Sequence, residues 1–338
     1  MRIGVIGLGF MGSVHLKALR SIPGAELTAV CSRDRRKLSG DLSAIQGNLG
    51  PAGESFDFSN IARYTEIDAL LRDPRVDAVD ICLPTSLHAP VAIAALRMGK
   101  HVLVEKPMAL DVASCEDMLA AARSADRVLM VAQVLRFFPA YTVLYESVRS
   151  GGLGAPRFAA FRRRCAAPAW SEWLADPKQS GGGAFDLLIH DVDMCLRLFG
   201  KPEWVSASGH EALGSGIDVL AAELHYPGGW SAFITGGWHH PKAYPFTMEY
   251  TVVMDRGTLD YSSRGRPPAL YGADGCAKPL SMPDTDGYAA ELEYFIGCCR
   301  SQRRPEACLP QESATAVAMM RLLLESRSRN GERMRCQI

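Results

Sequence analysis

The opening stretch of this chain limits its fold more than any other. Arg2-Ile3-Gly4-Val5-Ile6 is a short, largely apolar run. Gly7-Leu8-Gly9-Phe10-Met11-Gly12 follows it without a spacer and leads into a helical pattern that continues through Leu19. A strand buried on both faces of a parallel sheet reads as such a run. A G-x-G-x-x-G turn joining it to a helix is the opening unit of a doubly wound α/β fold. In that setting Gly7 permits the tight turn, Gly9 lets a pyrophosphate approach the backbone, and Gly12 lets helix and strand pack closely. The helix N-terminus then presents partial positive charge to the phosphates. Phe10 and Met11, inside the motif, complete the expected dinucleotide-binding turn. The competing reading is a glycine turn that serves packing alone, and the strand–turn–helix setting argues against it.

The second strand is expected over Glu26–Cys31. The residue that holds the adenosine ribose falls about 20 residues beyond the glycines. Here it is Ser32, followed by Arg33. A serine does not repel a 2′-phosphate, and an arginine pairs with one, so this edge favours NADP over NAD. Asp34 nearby keeps an NAD-type contact open, and Arg35, Arg36 and Lys37 read as a solvated helix face. After a loop over 46–60 and a helix over 66–72, a strand over 76–83 runs into Pro84-Thr85-Ser86-Leu87-His88. Pro84, Thr85 and His88 are candidates for the cofactor's ribose and diphosphate, and His88 reads equally as a cap on the helix that follows. The next strand, His101-Val102-Leu103-Val104-Glu105, ends in Lys106-Pro107. Ligands of open α/β sheets bind beyond the carboxyl ends of the strands, so Glu105 and Lys106 are placed at the crevice. Lys106 is either the functional cation there or a surface lysine. A helix over 112–125 and a strand over 127–132 complete this half. Arg136 beyond it is a substrate candidate, with a structural salt bridge as the alternative.

The pattern changes after residue 140. A helix to Ser150, a strand over 157–165 and a short helix over 170–176 precede Ser180-Gly181-Gly182-Gly183. An amphipathic helix then carries Asp186 and His190 and stops at Gly200. Residues i and i+4 share one helix face, so the acid can orient the imidazole and the imidazole can move a proton. A helix-stabilising pair is the plainer reading. Asp191 and Asp193 lie on other faces and read as structural. Strands over 204–210, 218–226, 230–238, 247–255 and 258–262, with turns at Pro227-Gly228-Gly229 and Asp255-Arg256-Gly257, predict a mainly antiparallel sheet. Helices over 288–300 and 311–328 follow, the last expected to pack back between the domains. Trp170, Trp238 and Tyr244 are candidates to line a substrate pocket, with interface packing the alternative for Trp238.

At 338 residues two domains are expected, with the boundary between 1–132 and 133–338. The fold class is α/β plus α+β: a Rossmann parallel sheet and a C-terminal open, mainly antiparallel one. Lys+Arg and Asp+Glu are 37 each, a balance that supports neither a nucleic-acid groove nor a basic membrane-binding face. No apolar run approaches the roughly 18 residues of a membrane span, and the N-terminus lacks a secretory pattern. Ten cysteines without any C-x-x-C pair read as reduced, mostly buried residues of a cytoplasmic protein, and no metal-ligand spacing occurs.

These residues together resemble the glucose–fructose oxidoreductase / inositol dehydrogenase / rhizopine-catabolism (Gfo/Idh/MocA) family. The resemblance rests on Gly7 to Gly12, on Gly99 to Pro107, and on Gly181-Gly182-Gly183 leading to Asp186 and His190. It implies that Lys106, Asp186 and His190 are the catalytic lysine, aspartate and histidine. It also implies hydride transfer between NAD(P) and a sugar, cyclitol or related polyol, and a homodimer or homotetramer formed through the C-terminal sheet. Ser32-Arg33 departs from the family's ribose-binding acid. A redox-assisted glycosidase on the same scaffold and a non-catalytic dinucleotide-binding sensor remain as alternatives.

Overall fold

A computed structural model describes residues 1–47, 53–168 and 172–338. The chain forms two compact units. One holds residues 1–134 with 286–314, and the other holds the greater part of 135–285 with 315–338.

The first unit opens with β1 (Arg2–Ile6), α1 (Phe10–Leu19), β2 (Glu26–Cys31), α2 (Arg35–Leu38), β3 (Ala62–Tyr64) and α3 (Ile67–Leu71). It continues with β4 (Ala78–Ile81), α4 (His88–Arg97), β5 (His101–Glu105), α5 (Val112–Ala125) and β6 (Leu129–Ala132). The six strands are parallel in the order β3-β2-β1-β4-β5-β6. The order reverses beside β1, the topological switch point at which α/β sheets bind ligands. Val5, Ile6, Val79, Ile81, Val102, Val104, Met130 and Val131 are wholly buried, which is why these strands read as unbroken apolar runs. The sequence reading has no strand at β3. That segment is three residues long and only partly buried, so it carries neither alternation nor an apolar run.

The second unit contains α6 (Pro139–Arg149), β7 (Pro156–Cys165), α7 (Pro177–Ser180), a π-helical turn over Ala184–Leu188 and α8 (Ile189–Phe199). Then come β8 (Trp204–Ala212), β9 (Ile217–Tyr226), β10 (Trp230–Trp238), β11 (Thr247–Met254), β12 (Gly257–Ser262), β13 (Arg266–Gly272) and β14 (Ala277–Pro279). Its nine-stranded sheet has the order β14-β13-β12-β11-β7-β10-β9-β8-β15, with β15 at Met334–Arg335. Every pairing is antiparallel except β7 with β10. The strands β13, β14 and β15 are additions to the sequence reading. Two of them, β14 and β15, are only three and two residues long, β13 and β14 carry prolines, and all three lie at the sheet's ends, where little burial patterns them.

Two helices complete the chain's helical inventory among the described residues. The first is α9 (Gly287–Ser301), which packs on α1 within the first unit, and the second is α10 (Pro310–Ser328). All ten cysteines are free thiols and seven are buried. No helix among the described residues is long and apolar enough to cross a membrane.

Candidate active site

In the first unit the candidate residues lie at the carboxyl ends of β1, β2, β4 and β5. Gly7 has φ +100°, and a Cβ there would come within 2.3 Å of Cys82 O. A Cβ on Gly12 would stand 2.0 Å from Gly7 O. Both positions are therefore closed to side chains by the protein itself. Gly9 differs: among the described residues nothing lies within 4 Å of its Cβ position. Its φ of −86° suits any residue, and its carbonyl accepts from Ser13 N at 3.0 Å as α1 begins. Internal packing thus gives no reason for glycine at position 9, whereas a phosphate lying on the backbone at a helix N-terminus does. The residues present fit a dinucleotide. Phe10 and Met11, both half-buried, form the first turn of α1.

At the end of β2, Ser32 N donates to Tyr64 O at 3.0 Å, and Ser32 Oγ accepts from Asp34 N at 3.2 Å. Asp34 Oδ1 accepts from Arg36 N at 2.9 Å and Lys37 N at 3.4 Å, so this carboxylate caps α2. Arg36 pairs with Asp41 at 2.8 Å. Arg33 is exposed and makes no ion pair among the described residues.

Beyond β4, Pro84 precedes a 3-10 turn over Thr85–Leu87, with Thr85 buried. His88 fits neither sequence-based role. It is buried, with Nδ1 2.8 Å from Pro107 O and Nε2 2.8 Å from Leu83 O. Both ring nitrogens thus face backbone carbonyls, one of which accepts the single N–H of the neutral ring, and the side chain makes no cap on α4. His88 instead ties the turn after β4 to the turn after β5. At that second turn Glu105 is buried, Lys106 is half-buried, and the Lys106–Pro107 bond is cis.

Asp186 and His190 belong to the second unit. Asp186 sits in the π-helical turn and His190 in the first turn of α8, both half-buried. Three ion pairs fix this segment. Asp218, 1% exposed on β9, accepts from Ala184 N at 3.0 Å and pairs with Arg327 at 2.6 Å. Asp191 pairs with Arg163 of β7 at 2.9 Å through both oxygens. Asp193 pairs with Arg136 at 2.5 and 2.8 Å. Arg136 and Asp193 are about as buried as the hydrophobic core, each side chain being 1% exposed. Arg136 is thus a structural residue here rather than a substrate ligand. Trp238 corrects both sequence-based roles. It is 1% exposed and stands 3.0 Å from the Cβ position of Gly183, so it packs inside the unit beneath the glycines. Tyr244 is half-buried and stacked on His240, with ring centroids 3.7 Å apart. Trp170 lies outside the described residues.

Sequence reasoning missed two groups. Asp218 is a lone acid at the head of a strand. His15, Asp80, Glu105 and Glu291 are buried together in the first unit, as described below. A buried acid in the apolar stretch Glu291-Leu292 to Phe295-Ile296 is the only local signal of the second group. His15, Asp80 and Cys82 also form the one grouping of metal-ligand types among the described residues. His15 Nδ1 and Asp80 Oδ2 sit at direct hydrogen-bond distance, 2.9 Å, as an imidazole and a carboxylate do when they pair without an ion.

Residues 1–133 match the oxidoreductase family with an NAD-binding Rossmann fold (Gfo/Idh/MocA), and residues 141–260 match the Gfo/Idh/MocA C-terminal domain. The chain belongs to the Gfo/Idh/MocA oxidoreductase family. It is an NAD-binding oxidoreductase on that basis. It is 30% identical to scyllo-inositol 2-dehydrogenase (NAD(+)) of Bacillus subtilis over 326 residues, covering 90% of this chain and 88% of that one. It is 33% identical to myo-inositol 2-dehydrogenase of Thermotoga maritima over 228 residues, 66% of this chain and 63% of the relative's length. Among solved structures, a probable dehydrogenase from Thermotoga maritima superposes with a TM-score of 0.81 at 26% identity, covering 99% and 98% of the two chains. Aldose-aldose oxidoreductase from Caulobacter crescentus shares the fold with a TM-score of 0.83 at 22% identity, covering 99% of each chain.

Proposed function

We propose that this protein is an NAD(P)-dependent dehydrogenase acting on a secondary alcohol of a cyclitol, sugar or related polyol. The observation that carries the reading is the open backbone at Gly9 after β1, at the same carboxyl edge of the sheet as Lys106, which follows β5 two strands along. The inositol dehydrogenases among its relatives support the substrate class. The bound nicotinamide supplies the hydride acceptor or donor. Lys106 donates a hydrogen bond to the reacting oxygen and stabilises the charge that develops on it. His190 accepts or returns the hydroxyl proton, and Asp186, four residues earlier, orients its ring. The three ion pairs of Asp191, Asp193 and Asp218 hold that segment so that the imidazole keeps its place.

NADP is the proposed cofactor. Asp34 is engaged in capping α2, and Arg33 makes no ion pair among the described residues. An arginine at this edge pairs with a 2′-phosphate, and a carboxylate already capping a helix is poorly placed for a ribose diol.

The test is a panel of cyclitols and aldoses with NADP+ and NAD+, followed by absorbance at the reduced nicotinamide band. Turnover of at least one polyol is expected. Lys106→Ala should keep cofactor binding and lose about 100-fold or more in kcat. A Lys106→Ala protein with wild-type turnover would refute the assignment of Lys106.

A further inference from the structure

In the first unit, a buried ionic chain links the glycine-turn helix to the strand that ends at Lys106. His15 lies on α1, one turn after Gly12, and is 0% exposed. Its Nδ1 is 2.9 Å from Asp80 Oδ2 on β4 in a hydrogen bond, and its Nε2 is 3.3 Å from Oε1 of Glu105, the last residue of β5, an ion-pair distance without hydrogen-bond geometry. The other Glu105 oxygen, Oε2, accepts from Lys106 N at 3.0 Å. Asp80 is 0% and Glu105 6% exposed. None of these residues faces solvent, so each charge depends on its neighbours.

We propose that His15 is a positioning residue for catalysis: held as an imidazolium between Asp80 and Glu105, it fixes the Glu105 carboxylate, which in turn fixes the backbone of Lys106. The inference rests on the reading of Lys106 given above.

The groups facing His15 agree on its charge. Asp80 and Cys82 approach from β4 and the residue after it, with Cys82 Sγ 3.5 Å from Nδ1. Glu105 approaches from β5, and Tyr288 and Glu291 from α9, the Tyr288 ring centroid 6.3 Å away. Burial opposes a charged imidazole, but the Asp80 carboxylate more than reverses it and holds His15 above its ordinary range, whereas burial pushes the neighbouring Cys82 thiol up and keeps it neutral. Burial likewise opposes an ionised Glu105, and His15, Lys106 and His88 together hold it below its usual value. Glu291 is 0% exposed, and neither of its oxygens has a hydrogen-bond partner among the described residues. Burial drives its carboxyl well up, so it is the neutral member of the cluster. One imidazolium between two carboxylates, beside a protonated third, is a stable division of charge in such a site. A neutral His15 has one donor for two carboxylates and would release one of them. The Glu105 contact, longer and less aligned than the Asp80 bond, is the one that would be lost.

The first readout needs no substrate. In 15N-histidine NMR of the wild-type chain at about pH 8.5, an imidazolium signal should persist among the eight histidines. Neutral rings throughout would overturn the proposal. The second readout is turnover of His15→Gln, Glu105→Gln and the double variant, using the polyol that the panel identifies. His15→Gln should keep NADPH affinity and substrate KM but lose about tenfold or more in kcat. Glu105→Gln should lose a similar factor, and the double variant no more than either single one, because both act through one contact. A merely structural role would lower the melting temperature of each variant additively and leave kcat unchanged. Folded His15→Gln with kcat within about twofold of wild type, or losses that multiply in the double variant, would overturn the proposal. Lys106→Ala with full turnover would instead refute the reading of Lys106, whatever the state of His15.

Discussion

Gly9 and Gly12 sit three residues apart in one turn and should respond oppositely to alanine. For Gly12→Ala, the new Cβ would stand 2.0 Å from Gly7 O, a backbone atom that cannot rotate away. Relief requires about 1 Å of movement between α1 and β1, and overpacking of this kind costs about 1–3 kcal/mol. For Gly9→Ala, no atom of the described residues lies within 4 Å of the new Cβ and φ is −86°. Alanine at a compatible backbone position gains about 0.4–1 kcal/mol through the unfolded chain. Alanine is also a poorer helix N-cap than glycine, a loss of similar size. The net change in stability should therefore stay within about 1 kcal/mol. The methyl group would, however, occupy the approach of a cofactor pyrophosphate. A loss of about tenfold or more in affinity, at least about 1.4 kcal/mol, is expected. Thermal unfolding without cofactor and calorimetric titration with NADPH and NADH measure both effects. Gly9→Ala should melt close to wild type and bind both dinucleotides weakly, whereas Gly12→Ala should melt several degrees lower. Wild-type cofactor affinity in Gly9→Ala would refute the argument that a ligand, and not packing, accounts for this glycine.

Asp193→Ala removes the carboxylate that pairs with the buried Arg136 guanidinium through both its oxygens. It should destabilise the protein by about 3–5 kcal/mol, measured by denaturant unfolding. Arg33→Ala should weaken NADPH binding about tenfold and leave NADH binding unchanged, read by calorimetry. Glu291 titrates higher in the folded chain than in the unfolded one, chiefly through burial. The stability it contributes is complete below its unfolded pKa and declines as pH rises toward the folded one. Glu291→Gln, which has no proton to lose, should therefore gain stability relative to wild type from about pH 5 upward, by as much as about 1.4 kcal/mol per pH unit. A difference between the two proteins that is flat with pH would contradict a protonated Glu291.

The first unit was legible because its determinants are local. Parallel strands buried on both faces announce themselves as apolar runs, and the glycine turn places the crevice at their carboxyl ends. The hairpins β9–β10 and β11–β12 were equally legible from their glycine turns and alternating burial. Lys106 was placed at a strand end by the run before it, whereas the i, i+4 spacing put Asp186 and His190 on one α-helix and the structure puts Asp186 in the π-helical turn before α8. The strands β3, β13, β14 and β15 had no such signature, being brief or lightly buried.

The sequence by itself thus determined the order of the elements, the cofactor turn, and the residue types available for proton and hydride chemistry. Only tertiary structure decided what the polar side chains do. Trp238 reads as a pocket or interface residue until β10 turns it beneath Gly183. Arg136 reads as a substrate ligand or a structural salt bridge, and the second holds once α8 brings Asp193 against it. His88 reads equally as a cofactor contact or a helix cap until two turns close on its ring. His15, Asp80, Glu105 and Glu291 are scattered over nearly the whole chain, and no periodicity links them. A polar group's charge and role depend on which partners share its burial, and those partners are supplied by chain crossings that local spacing does not encode.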